Sequence, residues 1–119
     1  MILRRLALAL VLCGLTLPLP TSAQTQGEAM QKYVIERDLP GAGRLSAAEL
    51  NAASKKSREA LASMGTNLQW VQSYVTDDKI YCVYLAHSED EIRSHAKAAG
   101  LPATRISRVK TILDPINGN

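Results

Sequence analysis

The sequence feature that most constrains the fold is a tight β-hairpin in the middle of the chain. Residues 68–76 (LQWVQSYVT) and 79–86 (KIYCVYLA) are rich in side chains that favour strands. Only Asp77 and Asp78 separate them, and two strands joined by so short a turn pair antiparallel. The sequence therefore predicts an antiparallel sheet built around this hairpin.

A helix is predicted on each side of the hairpin. Ser46 is followed three residues later by Glu49, which is the spacing of a capping box, and Gly65 is well placed to end this first helix. Ser88 and Glu91 repeat the capping-box spacing directly after the hairpin. A glycine and a proline then stop the second helix.

One more strand is predicted at each end of this region. Residues 32–37 (KYVIER) precede the first helix and residues 105–113 (RISRVKTIL) follow the second. The element order is then β-α-β-β-α-β, the split βαβ arrangement of the ferredoxin-like fold. We expect an α+β sandwich in which two helices cover one face of a four-stranded antiparallel sheet. The domain should span residues 32–115, with a flexible leader at 24–31 and a C-terminal tail at 116–119.

Residues 1–23 have the pattern of a cleavable secretory signal peptide. Two arginines precede an apolar run at residues 6–17, and small residues follow at 21–23. The apolar run is shorter than the roughly 20 residues that span a bilayer. We therefore expect cleavage after Ala23, no stable membrane anchor afterwards, and a periplasmic or secreted protein. A retained anchor is the alternative.

Removal of the signal peptide changes the charge and the cysteine content. With Arg4 and Arg5 lost, Lys plus Arg falls from 14 to 12 against 11 acidic residues, so the net charge falls from +3 to +1. This balance argues against a nucleic-acid partner, because such proteins carry a strong basic stripe. Loss of Cys13 leaves Cys82 alone, so one mature copy has neither a disulfide framework nor the ligands of an iron–sulfur cluster.

Strand alternation predicts which side chains share a face of the sheet. We expect the helix-covered face to carry Val34, Val71, Val75, Val83, Leu85, Val109 and Leu113. We expect the open face to carry Tyr33, Ile35, Trp70, Tyr74, Ile80, Cys82, Tyr84, Ile106 and Ile112. So large an apolar surface needs a cover in water, which predicts a face-to-face homodimer or a ligand pocket. The interface or pocket residues would be Tyr33, Trp70, Tyr74, Cys82 and Tyr84. The leader folded back over the face is the alternative cover.

A histidine and carboxylate group offers a candidate metal site. Glu91 and His95 lie four residues apart on one face of the second helix, and His87 lies just before it, a set that suits nickel or zinc. The alternative is structural, because acidic residues stabilise a first helical turn and His95 suits a half-buried, hydrogen-bonded position.

Cys82 is a further candidate as a nucleophile, but a cysteine in mid-strand is more often a packed side chain. The sequence holds no phosphate loop or Ser/His/Asp set, so we assign no catalytic residue and favour a binding protein over an enzyme.

Three stretches of the chain resemble a family of small bacterial nickel-binding proteins. They are KYVIERDLPGAGRLSAAEL, GTNLQWVQSYVTDDKIYCVYLA and EDEIRSHAKAAGLPATRIS. The resemblance extends from residue 32 to about residue 115. The resemblance implies a ferredoxin-like fold, a dimeric assembly and nickel binding. His95 falls within a matching stretch, whereas His87 does not clearly match the pattern of the family.

Two functions follow from these observations. The first is an exported, dimeric protein that binds a divalent metal, nickel, through His95 with Glu91 and His87. The alternative is a small-molecule-binding or catalytic dimeric α+β barrel that uses the aromatic face of the sheet.

Overall fold

The computed structural model describes residues 29–118, so the predicted signal peptide and most of the predicted leader lie outside the described residues. The main elements are β1 (Gln31–Asp38), α1 (Ala47–Met64), β2 (Gln69–Val75), β3 (Lys79–Ala86), α2 (Glu89–Ala99) and β4 (Arg105–Arg108). The four strands form one antiparallel sheet in the order β2-β3-β1-β4, which confirms the ferredoxin-like α+β fold. In this part of the chain, neither helix is long and apolar enough to cross a bilayer.

Short-range hydrogen bonds fix the start of both helices. The Ser46 hydroxyl accepts from the backbone N–H of Glu49 at 3.2 Å, and the Glu49 carboxylate accepts from the backbone N–H of Ser46 at 2.7 Å. At α2, the Ser88 hydroxyl accepts from the backbone N–H of Glu91 at 3.3 Å. The Glu91 carboxylate accepts from the backbone N–H of His87 at 2.8 Å, one residue earlier than in a capping box. A glycine in the left-handed conformation ends each helix.

The hydrophobic core lies between the helices and the face of the sheet that carries Tyr33, Ile35, Cys82 and Tyr84. These four side chains are between 0% and 6% exposed, and they form one cluster with Ile92 of α2. The predicted assignment of the faces is therefore wrong. Most residues of the set with the tyrosines, which was expected on the open face, lie beneath the helices. Most residues of the valine-rich set, which was expected beneath the helices, face outward. Both sets are apolar, so alternation separates them without showing which one the helices cover.

A β-bulge in β2 places Tyr74 on the opposite face from Trp70. Trp70 pairs with Tyr84 of β3, but the register shifts between Trp70 and Gln72, and Tyr74 then pairs with Tyr81. The extra residue reverses the alternation in the rest of the strand. Trp70 therefore packs against the core, whereas Tyr74 is 55% exposed.

The last strand is shorter than the sequence predicts. β4 ends at Arg108, and the backbone N–H of Val109 makes one further hydrogen bond to the Lys32 carbonyl at 2.8 Å. Ile112 and Leu113, which were predicted to lie on the sheet, are beyond the strand and are 60% and 94% exposed. Their predicted places on the two faces are therefore wrong.

A smaller apolar surface remains on the open face of the sheet. Val34 pairs with Val83, and Tyr74 pairs with Tyr81, at positions that alternate with the buried residues of the same strands. Leu85 lies two residues after Val83, so it is on the same face, and it pairs with Gln69 of β2. These five residues, here called the open-face patch, are all at least partly exposed in one copy of the chain.

Candidate functional site

A pocket of about 190 Å³ lies between α1 and the helix-covered face of the sheet. Helix α1 buries only Ser57 and Ala60, so it does not close against the sheet along its whole length. The apolar walls of the pocket are formed by Leu50, Ala53, Trp70, Val75, Ile80 and Leu101. Its polar atoms belong to Ser54, Ser57, Ser73, Cys82 and Tyr84. The space is therefore mainly apolar, and its hydroxyl and thiol side chains come from both α1 and the sheet.

The Cys82 thiol in the pocket receives two hydrogen bonds. The Ser73 hydroxyl donates to the sulfur at 3.0 Å, and the Nε–H of Arg37 donates to it at 3.3 Å. Ser73 is itself held by the Trp70 indole N–H, which donates to its hydroxyl oxygen at 2.9 Å. Residues from three neighbouring strands therefore fix the position of the sulfur.

Arg37 is a buried cation with an incomplete set of partners. It is 1% exposed, and its Nη1 donates to the Pro102 carbonyl at 2.6 Å. Its Nη2 is buried without a hydrogen-bond partner, and none of the ion pairs in the described part of the chain includes Arg37. A buried charge without a counter-ion is unfavourable, and its field acts strongly on nearby groups in a low-dielectric interior. Arg37 therefore makes the adjoining side of the pocket electropositive.

His95 of α2 is completely buried beside two of the residues that line the pocket. Its Nε2 lies 3.1 Å from both the Ser57 hydroxyl and the Tyr84 hydroxyl, while its Nδ1 has no partner. Burial, and then the positive charge of Arg37, lower the pKa of His95 from 6.5 to about 4. Burial also raises the pKa of the Tyr84 hydroxyl. Both rings are therefore neutral at pH 7, and the charge near the pocket comes from Arg37.

The three predicted metal ligands do not form a metal-binding group in one copy of the chain. Within residues 29–118, no three or more His, Cys, Asp or Glu side chains are arranged to hold a metal ion. His95 does not fit a metal ion in this arrangement, because the burial and the Arg37 charge that lower its pKa also disfavour a divalent cation beside the imidazole. Glu91 and His87 lie together at the start of α2, where both residues are half-buried.

The five residues predicted for an interface or pocket are divided among three places. Trp70, Cys82 and Tyr84 line the pocket between α1 and the sheet. Tyr33 is 6% exposed and belongs to the core cluster, and Tyr74 belongs to the open-face patch. The predicted set is thus divided among the pocket, the core and the open face of the sheet.

Sequence reasoning gave no role to Arg37, Ser57 or Ser73. Strand alternation with Tyr33 and Ile35 places Arg37 on the same face of β1, and this signal was sufficient to find it. Ser73 points to the pocket only because the bulge reverses the alternation of β2, and a bulge has no clear signature in this sequence. Ser57 is placed by the packing of α1.

Comparison with known proteins identifies a crystal structure with a similar fold and a protein family. The chain is similar to the crystal structure of SCO4226 from Streptomyces coelicolor A3(2), with a TM-score of 0.57 and 19% sequence identity over 69% of this chain and 99% of that chain. This likeness shows a shared fold. A comparison with curated protein sequences finds no significant match. The family model described as "Nickel responsive protein SCO4226-like" matches residues 33–109, which is more than half of the sequence. The chain therefore belongs to the SCO4226-like family of nickel responsive proteins.

Proposed function

We propose that the protein is an exported, nickel-binding homodimer. The observation that carries this proposal is the match of residues 33–109 to the nickel responsive family. Export is supported by the basic, apolar and small-residue pattern of residues 1–23, which lie outside the described residues. Mass spectrometry of the protein recovered from the periplasm or medium tests this part. A mature chain that begins at Gln24 is expected, and a chain retained in the cytoplasm with residues 1–23 still attached contradicts export.

Dimerisation is supported by the open-face patch. Its apolar side chains lie on the face of an antiparallel sheet that the helices leave uncovered, and contiguous apolar surfaces of this kind mark interaction sites. A second copy can cover the patch by packing its own sheet against it. The Tyr74 and Tyr81 hydroxyls suit the wet rim of such an interface because each joins an apolar ring to a polar end.

Sedimentation velocity of the mature protein tests the dimer. The wild type is expected to sediment as a dimer, and Val83→Glu is expected to sediment as a monomer, because it introduces a charge in the middle of the patch. Leu113→Glu is the matched control, since Leu113 is 94% exposed outside the sheet, and this variant should remain dimeric. A monomeric wild type, or equal dissociation of both variants, overturns the proposal.

For the metal, we propose that His87 and Glu91 contribute ligands at the start of α2. These two residues are held together by the hydrogen bond from the His87 backbone to the Glu91 carboxylate, and both are partly accessible. Imidazole nitrogen and carboxylate oxygen both suit nickel. Two ligands leave the coordination shell incomplete, so water or the second copy supplies the remainder.

Equilibrium dialysis of the mature protein against nickel tests the metal proposal. The wild type is expected to take up nickel, and His87→Gln and Glu91→Gln are expected to take up less. His95→Gln is the comparison variant and should keep the uptake of the wild type, provided that its circular dichroism shows a folded protein. No uptake by the wild type removes nickel binding, whereas a loss confined to His95→Gln transfers the site to His95.

A second candidate function, the binding of a small molecule, is supported by the pocket between α1 and the sheet. Three of the residues that the sequence assigned to such a function line this pocket. It lies on the helix-covered side of the sheet, so occupation of the open face by a second copy leaves it accessible.

A further inference from the structure

The pocket between α1 and the sheet has the size of a site for one small organic molecule. Its volume of about 190 Å³ exceeds the roughly 150 Å³ of an apolar protein cavity that holds benzene. It is below the range of about 300–1,000 Å³ that is typical for drug-sized ligands. One ring with a short substituent therefore fits the space, and a nucleotide or other large cofactor does not.

The apolar and polar residues that line the pocket select the chemistry of such a molecule. Leu50, Val75 and Leu101 offer an apolar surface for a ring. Ser57 and Tyr84 also line the pocket, and the hydroxyls of both contact Nε2 of the neutral His95 at 3.1 Å. When the ring proton is on Nε2, this one N–H is shared between the two hydroxyl oxygens, and each hydroxyl can direct its own hydrogen to a ligand.

The charge behind the pocket favours an anion over a cation. The Arg37 guanidinium contacts Cys82, which lines the pocket, at 3.3 Å, and no carboxylate of the described residues neutralises it. One of its nitrogen atoms, Nη2, is buried and has no partner. An anionic group in the pocket would supply the counter-charge that this cation lacks. A ligand cation at the same place would be repelled.

We propose that this pocket is a binding site for a small carboxylic acid with a single apolar ring. The ring lies between α1 and the sheet, and the carboxylate accepts hydrogen bonds from the Ser57 and Tyr84 hydroxyls in the field of Arg37. The site is independent of nickel binding and of dimerisation, because it uses neither the start of α2 nor the open face of the sheet.

The indole N–H resonance of Trp70 in the mature protein reports binding directly. Trp70 lines the pocket and is the only tryptophan in the chain, so its signal needs no further assignment. Three probes of similar shape, benzoate, benzyl alcohol and benzylamine, separate the effect of charge from the effect of the ring. We expect benzoate to bind about tenfold more tightly than benzyl alcohol, because a charged acceptor strengthens the hydrogen bonds, and benzylamine to bind most weakly.

Two matched substitutions on α1 place the binding site. Ala53 lines the pocket, so Ala53→Phe fills it and should weaken benzoate binding at least about tenfold. Ala52 is exposed on the same helix and does not line the pocket, so Ala52→Phe should bind benzoate like the wild type. Arg37→Gln should remove the preference for benzoate over benzyl alcohol while benzyl alcohol still binds.

Three results overturn the proposal. The first is an indole resonance that does not shift with any of the three probes, and the second is benzylamine bound as tightly as benzoate. The third is equal loss of binding in Ala52→Phe and Ala53→Phe, which shows that the ring lies elsewhere. If Arg37→Gln fails to fold, the ranking of the three probes on the wild type decides the role of charge by itself.

Discussion

The burial of His95 predicts a specific dependence of stability on pH. The pKa of this histidine falls from 6.5 to about 4 in the folded protein because the ring is buried and lies in the field of Arg37. Between these two pH values the unfolded chain binds a proton that the folded chain does not bind. Stability therefore rises with pH through this window, is fully present above pH 6.5, and is lost as the pH falls towards 4.

The size of the effect follows from the same two values. One pKa unit corresponds to about 1.4 kcal/mol, so the difference between 6.5 and about 4 corresponds to about 3 kcal/mol. His95 is completely buried, so solvent does not screen this interaction. A loss of about 3 kcal/mol is a large part of the roughly 5–15 kcal/mol by which a domain of this kind is stable.

The assay compares urea unfolding of the mature wild type and of His95→Gln at a series of pH values between 7 and 4. Carboxylates also titrate in this range, but their contribution cancels in the difference between the two proteins. The advantage of the wild type over His95→Gln should shrink by about 3 kcal/mol as the pH falls. An NMR titration of His87→Gln, in which His95 is the only remaining histidine, measures the pKa directly. A difference between wild type and His95→Gln that is constant across this range, or a His95 pKa near 6.5, refutes the reasoning.

Three further predictions concern turns and caps, and thermal or urea unfolding measures each of them. Ser46→Ala removes the cap of α1 and should lower the free energy of unfolding by about 1 kcal/mol, whereas Ser94→Ala, on the exposed surface of α2, should change it by less than about 0.5 kcal/mol. Gly65 has φ 61° with open space around it, so Gly65→Ala should cost about 1 kcal/mol and Gly65→Asn less; equal losses contradict a backbone cause. The Asp78 carboxylate accepts from the backbone N–H of Gly41 at 2.9 Å, so Asp78→Ala should destabilise by about 1 kcal/mol and Asp78→Asn by less; the reverse order contradicts the hydrogen bond as the cause.

Local signals in the sequence predicted most of the elements. The hairpin strand β3 has the bounds 79–86 in both the sequence interpretation and the structure, because a short turn precedes it and a capping serine follows it. The start of α1 at Ser46 is also as predicted, since the two hydrogen bonds that form this cap join residues only three positions apart. Such features depend on neighbouring residues alone.

Features that depend on distant partners were not predicted correctly. The strand-forming run at residues 105–113 continues beyond Arg108, but the register with β1 leaves it little of that strand to pair with, because β1 begins at Gln31. The bulge in β2 is likewise visible only in its pairing with β3, and it moves Tyr74 away from the pocket. The candidate metal residues stay a prediction. They were identified by helical spacing, which does not show that the charge of a buried arginine acts on His95.

The sequence by itself determined the order of the elements, the caps of the helices and the alternation that divides the strand residues into two sets. Only the tertiary structure decided which set the helices cover, because both sets are apolar and strand alternation separates them without ranking them. The decision depends on contacts between elements far apart in the chain. Because the helices cover the face with Tyr33 and Tyr84, the Tyr84 hydroxyl contacts His95 of α2, and Cys82 belongs to the core cluster with Ile92. The same docking buries Arg37 and leaves the pocket beneath α1.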